Sequence, residues 1–166
     1  MPTTISDLDV FLLQGPEKDR PHWVSNFTVP TANEILLRLR TEDGIEGFGL
    51  ATSYTNAEPI LHVFRSGITE RLIGANPLAP EHIYEDLFSL TSKRLAHQKN
   101  WGREALVRVS AAVDVACWDI IGKKAGLPLY QLFGGYRDQV PYYVTCAYYR
   151  DGKDLTELRE EITELK

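Results

Sequence analysis

The chain has 166 residues, 43% of them hydrophobic and 25% charged, with a formal net charge of −5. That composition suits a globular fold with enough apolar material for a real core, and its acidic balance argues against nucleic acid or an anionic membrane as a partner. No stretch approaches the roughly 18 apolar residues of a membrane span. The opening "MPTTISDLDVFLLQG" lacks the basic start and long apolar run of a signal peptide, so the expectation is a cytoplasmic protein.

Residues 5–13 are apolar and partly β-branched, as a strand requires. In "NEILLRLRT" (33–41), Leu37 and Leu39 alternate with Arg38 and Arg40, the period-two pattern of a half-buried strand. Asp43-Gly44 is a hairpin turn signal, and "IEGFGLA" (45–51) supplies the next strand. These segments predict a three-stranded antiparallel meander. Between the first two strands lies "GPEKDRPHWVSNFTVPTA" (15–32), with three prolines, His22, Trp23 and Phe27. A loop that long in a compact domain is functional or disordered, and its aromatics argue against disorder.

Helices follow. "TNAE" (55–58) has capping-box spacing and predicts a helix through about residue 71. Pro80 suits the first turn of a second helix, reaching about residue 96. A third spans 103–124, with Leu106, Val109, Val113, Cys117 and Ile120 on one stripe. Gly126 and Pro128 end it. "VPYYVTCAYY" (140–149) reads as a strand buried on both faces, as in a parallel sheet. Asp154 then caps a last helix with Leu155, Leu158, Ile162 and Leu165 at helical spacing.

This order divides the chain at about residue 135. Residues 1–135 make a complete α+β unit. Residues 136–166 make one strand–helix repeat of something larger, and a lone parallel strand has no hydrogen-bonding partner. The chain is therefore expected to be unfinished.

Few residues outside the long loop invite chemistry. Cys117 and Cys146 have no CxxC or CxxH neighbour, which speaks for buried thiols over zinc. His62, His82 and His97 lack the i, i+4 spacing of a helical metal site. "GFG" (47–49) lacks the third glycine of a dinucleotide loop. Asp114 and Asp119 stand among apolar neighbours but lie about 140° apart around a helix, so they share no face. The packing role, hydrogen-bonding or ion-pairing to Arg103, Arg108 or Lys123, outweighs a catalytic one.

The segment "VSAAVDVACWDIIGKKAGLPLYQLFGG" (109–135) resembles the signature of the mandelate racemase/muconate lactonizing enzyme family, within the enolase superfamily. The match is carried by Ser110-Ala111-Ala112, Val113-Asp114, Ala116, Trp118-Asp119, Gly122-Lys123, Pro128, Leu132 and Gly134-Gly135. The resemblance implies an enolase-type N-terminal capping domain, then the first βα unit of an incomplete TIM-like barrel. It implies a Mg2+-dependent enzyme that abstracts the proton α to a carboxylate, with acid-sugar dehydration or 2-hydroxy-acid racemisation first. Cycloisomerisation and dipeptide epimerisation are the alternatives within the family, and a free-standing, non-catalytic binding module is the alternative outside it.

In such enzymes the metal ligands and the Lys-x-Lys motif lie on later barrel strands. Neither Lys123-Lys124 nor Lys166 matches that motif, so no catalytic or metal residue is assigned here and the fragment alone is expected to be inactive. The resemblance does imply two capping loops that enclose the substrate, matched here by 15–32 and 50–55. His22, Trp23, Thr52 and Tyr54 are the candidate substrate-facing residues, with Thr145 late in the presumed first barrel strand. The implied partners are a small-molecule carboxylate and further copies of the full-length chain in a homo-oligomer.

Overall fold

Asp43-Gly44 makes the expected tight turn: Gly44 takes a φ of 84°, and its N–H donates to Thr41 O at 2.9 Å. Around it the computed structural model, which describes residues 3–24, 27–54 and 56–165, builds an antiparallel sheet. Its strands are β1 (Ile5–Gln14), β4 (Asn33–Thr41) and β5 (Glu46–Ser53), in the spatial order β1-β4-β5. Ile35, Leu37 and Leu39 of β4 are wholly buried. On the opposite face Arg38 pairs with Asp9 at 2.5 Å and Arg40 with Asp7 at 2.6 Å. The alternation of leucine and arginine thus sorts inside from outside.

The loop between β1 and β4 is more ordered than its sequence suggests. It holds a small hairpin, β2 (His22–Val24) and β3 (Phe27–Val29), joined by a two-residue strand β6 (Tyr149–Arg150) into a second sheet of order β3-β2-β6. Residues 25 and 26 lie outside the described residues.

The helical half departs from expectation at two breaks. Helix α1 (Glu58–Val63) begins with Glu58 at its first position, where Glu58 N–H donates to Asn56 Oδ1 at 3.0 Å. Glu58 is thus not the third-position partner of a capping box, and Thr55 lies outside the described residues. A π-helical turn (Phe64–Ile68) with Gly67 at φ 124° then separates α1 from α2 (Thr69–Leu72). The second expected helix is α3 (Pro80–Ser89), followed by a 3-10 turn (Leu90–Ser92) and α4 (Arg94–Gln98). Lys93 is extended and ends the run.

Helix α5 (Arg103–Ala125) lies against the sheet and matches its sequence pattern, with Leu106, Val109, Val113, Cys117 and Ile120 all buried. Gly126 caps it at φ 66°. Gly47 and Gly49 explain the close approach. A Cβ on Gly47 would collide with the carbonyl oxygen of Ala116, and one on Gly49 with that of Ala112. The glycines of "GFG" are therefore a seat for a helix.

After the short α6 (Leu129–Leu132) the expected doubly buried strand at 140–149 does not form. Tyr142 and Tyr143 are each 87% exposed, and only Tyr149–Arg150 pairs, antiparallel, with β2. An apolar run specifies burial but supplies no partner, and no parallel neighbour exists among the described residues. Helix α7 (Leu155–Glu164) does form, its Asp154 carboxylate accepting from the N–H groups of Thr156 and Glu157 at 2.9 Å. Its apolar residues Leu155, Ile162 and Leu165 stay exposed. Among the described residues, no helix is long and apolar enough to cross a membrane.

Candidate functional site

The two segments expected to enclose a substrate do meet. The Phe27 ring of the β2–β3 hairpin lies 6.2 Å from the ring of Tyr54, just past the end of β5. Thr52, on β5, donates from its hydroxyl to Glu34 Oε2 at 2.7 Å. Its carbonyl accepts from the Arg108 guanidinium, which Glu104 also holds at 2.8 Å. The end of β5 is thereby pinned to α5, while Tyr54 remains half exposed.

His22 and Trp23 stand on β2 facing the C-terminal segment. Trp23 stacks on Tyr149, ring centroids 4.7 Å apart at 21°, and His22 lies 4.8 Å from the Tyr148 ring. Lys18 Nζ donates to His22 Nδ1 at 3.1 Å. Burial lowers the His22 pKa from its usual value, and the nearby charges of Lys18 and Arg150 lower it further. Since an ammonium can only donate, Nδ1 is the acceptor in this hydrogen bond.

Thr145 sits exposed in the irregular stretch before β6, and it makes no hydrogen bond among the described residues. Four of the five candidate residues therefore lie on the hairpin and at the end of β5, while Thr145 is left apart. Sequence reasoning did not select Glu34, Arg20 or Glu157, which hold these elements. Glu34 could have been found from β-pairing, since it lies directly across from Thr52. Arg20 and Glu157 carry no local signal, being 137 positions apart.

The two signature aspartates have separate duties. Asp119 Oδ2 accepts the Phe48 N–H at 2.9 Å and pairs with Lys123 at 2.8 Å, while Lys123 also donates to Glu46 O at 2.8 Å. Together they satisfy backbone groups on the open edge of β5. Asp114 faces α3; burial raises its carboxyl pKa, and the charge of Glu81 raises it further. Neither aspartate belongs to a metal cluster. Among the described residues no three His, Cys, Asp or Glu side chains gather to hold an ion.

Residues 7–134 match the family model described as the N-terminal domain of mandelate racemase/muconate lactonizing enzyme. The chain belongs to this family. Members and relatives of the family resemble it along most of its length. A D-mannonate dehydratase of Xanthomonas oryzae pv. oryzicola is 34% identical over 153 residues, covering 90% of this chain and 34% of that protein. A hydrophobic dipeptide epimerase of Enterococcus faecalis is 33% identical over 126 residues, covering 72% and 32%. An enolase-superfamily structure from Polaromonas sp. JS666 superimposes with TM-score 0.80 over 98% of this chain and 41% of that one. At 24% identity it shows the fold alone. A Roseovarius nubinhibens ISM member complexed with magnesium gives TM-score 0.60 at 26% identity, over 81% and 34%. The chain spans about a third or less of the length of the curated relatives it matches.

Proposed function

We propose that this chain is the capping portion of a Mg2+-dependent enzyme that abstracts the proton α to the carboxylate of an acid sugar or 2-hydroxy acid. The observation that carries the reading is the meeting of the β2–β3 hairpin with the end of β5 through Phe27 and Tyr54. Two segments far apart in sequence come together there, with His22 on the Phe27 face of the hairpin and Trp23 on the opposite face. The dehydratase name of the Xanthomonas relative supports the acid-sugar class. The epimerase name of the Enterococcus relative keeps dipeptide epimerisation as the second reading.

The described residues do not fit a magnesium site. No three ligating side chains gather among them, and the acidic residues on the outer face of the sheet, Asp7, Asp9 and Glu46, are committed to Arg38 and Arg40. The reading therefore assigns the ion, the base and the remaining barrel strands to polypeptide outside these 166 residues. What this chain's residues do is enclose: the rings of Phe27 and Tyr54 exclude water, and His22 on the same face of the hairpin offers a polar contact to substrate. Trp23 on the other face stacks on Tyr149 and stiffens the cover. Exclusion of water strengthens every electrostatic interaction inside a closed site. Thr145 would join them if residues 140–146 paired as a barrel strand. The full-length enzyme is taken to be a homo-oligomer.

A chimera tests this. Residues 1–166 replace the matching N-terminal portion of the Xanthomonas D-mannonate dehydratase, and acid sugars are screened with Mg2+. Turnover by the chimera and none by the 166-residue chain is the expected result. Turnover by the chain alone, or a folded chimera inert toward every acid sugar, would overturn it.

A further inference from the structure

The hairpin is fastened to the far end of the chain by a compact set of charges. Arg20 forms a two-pronged ion pair with Glu157 of α7, Nη1 to Oε1 at 3.2 Å and Nη2 to Oε2 at 3.1 Å. The same Nη2 donates to Asp151 O at 3.0 Å. Two and three residues further on, His22 and Trp23 pair with Arg150 and Tyr149 of β6. Two residues before β6, Ala147 takes a φ of 63°, a conformation non-glycine residues rarely adopt. Glu161, one helical turn beyond Glu157, holds this backbone. Its Oε1 accepts from Ala147 N–H at 3.0 Å, and its Oε2 binds Arg150 at 3.2 Å and Lys153. Arg150 also reaches Glu157 at 3.4 Å and joins the two carboxylates. One face of α7 thus grips both the hairpin and the strand beside it.

We propose that Arg20 is a positioning residue: with Glu157 it forms an ionic latch that fixes the β2–β3 hairpin against β6 and α7 and so sets where His22 and Trp23 stand. Its consequence for substrate rests on the reading of this hairpin as a cover, whereas the latch itself does not. The Arg20 side chain is 49% exposed and that of Glu157 31%, so water and salt screen the pair. A bidentate geometry gives it direction, and the screening keeps it weak enough to release. A cover must do both.

Hydrogen exchange on the 166-residue chain tests the latch, read at the amides of β2 and β6 with those of α5 as the internal standard for folding. Arg20→Gln and Glu157→Gln should each speed exchange in β2 and β6 about fivefold. The double variant should be faster than either single but well short of the product of the two effects. Both singles remove the shared Arg20–Glu157 pair, and each also loses one contact of its own, Arg20 to Asp151 O and Glu157 to Arg150. Adding about 0.5 M salt should raise the β2 rates of the unaltered chain toward those of the variants. It should move the variants less, since they keep the Glu161 pairs to Arg150 and Lys153 but not the latch. Fully additive effects in the double variant, with no coupling between the two sites, would overturn the latch. So would β2 rates that ignore salt in the unaltered chain, a measurement that needs no variant to fold. No substrate enters this readout, so an inert chimera leaves the latch standing, and salt-insensitive exchange leaves the capping function standing.

Discussion

Asp119 does at the scale of one carboxylate what an edge strand needs. The Phe48 N–H on the open side of β5 would otherwise face solvent unpaired, and the charged acceptor at 2.9 Å closes it. Hydrogen bonds to a charged group contribute roughly 1.5–3 kcal/mol, so Asp119→Ala should cost about 2 kcal/mol. Asp119→Asn keeps an acceptor and should cost less, and denaturant unfolding of the two variants checks the order. Asp114 works in the opposite sense. Its folded-state pKa is raised, so its ionised form opposes folding, and the stability that protonation brings is lost as pH rises through that folded value. Asp114→Asn should therefore be more stable than the unaltered chain at pH 7. The advantage should vanish below the ordinary aspartate pKa of about 3.9, which paired melts across pH would show. Asp43 has the reverse sign: its hydrogen bond to Lys124, then that to Thr41, lowers its pKa to about 2. Its contribution is present above the ordinary value and fades as pH falls toward 2.

At the scale of elements, the glycine pair on β5 decides how α5 seats. Gly49→Ala would drive a methyl into the Ala112 carbonyl, a backbone atom of a buried helix that cannot swing aside. Overpacking of this kind costs about 1–3 kcal/mol, and here the upper end is expected, measured as a lowered denaturation midpoint. Ala147→Gly should act the other way. It relieves a left-handed alanine and should slow exchange in β6 while leaving α5 unchanged. The elements that sequence made legible are those whose instructions are local: the alternation of β4, the Asp43-Gly44 turn, the stripe and cap of α5, and Asp154 before α7. The elements it hid depend on distant partners. The β2–β3 hairpin forms where three prolines suggested a loop, and β6 pairs with it from over a hundred residues away. The apolar run 140–149 promised a strand, but hydrophobicity cannot name a neighbour. The candidate site divides the same way. His22, Trp23, Thr52 and Tyr54 were visible as residues, while Glu34, Arg20 and Glu157 became visible only once the chain was folded.

At the scale of the whole molecule, the hydrophobic core formed by the described residues lies before residue 121. Every buried core residue falls between Ile5 and Ile120, from β1 through α5. Beyond Gly135 the chain adds exposed apolar surface: Tyr136 is 88% exposed, Val140 72%, and Leu155 79%. These residues contribute almost nothing to the burial that drives folding, yet they offer a contiguous sticky segment to other molecules. Two consequences follow from the same distribution. Deleting residues 136–166 should leave the thermal midpoint of the core within a few degrees of its original value, since no core side chain is lost. The same deletion should remove concentration-dependent association and the binding of a hydrophobic dye, while speeding exchange in β2 as the latch partner disappears. Calorimetry, sedimentation and exchange on the two lengths of chain read all three. A shortened chain that fails to melt cooperatively would mean that α7 and β6 support the core after all. The proposed boundary at residue 135, between a capping unit and the start of a second domain, would then have to be redrawn.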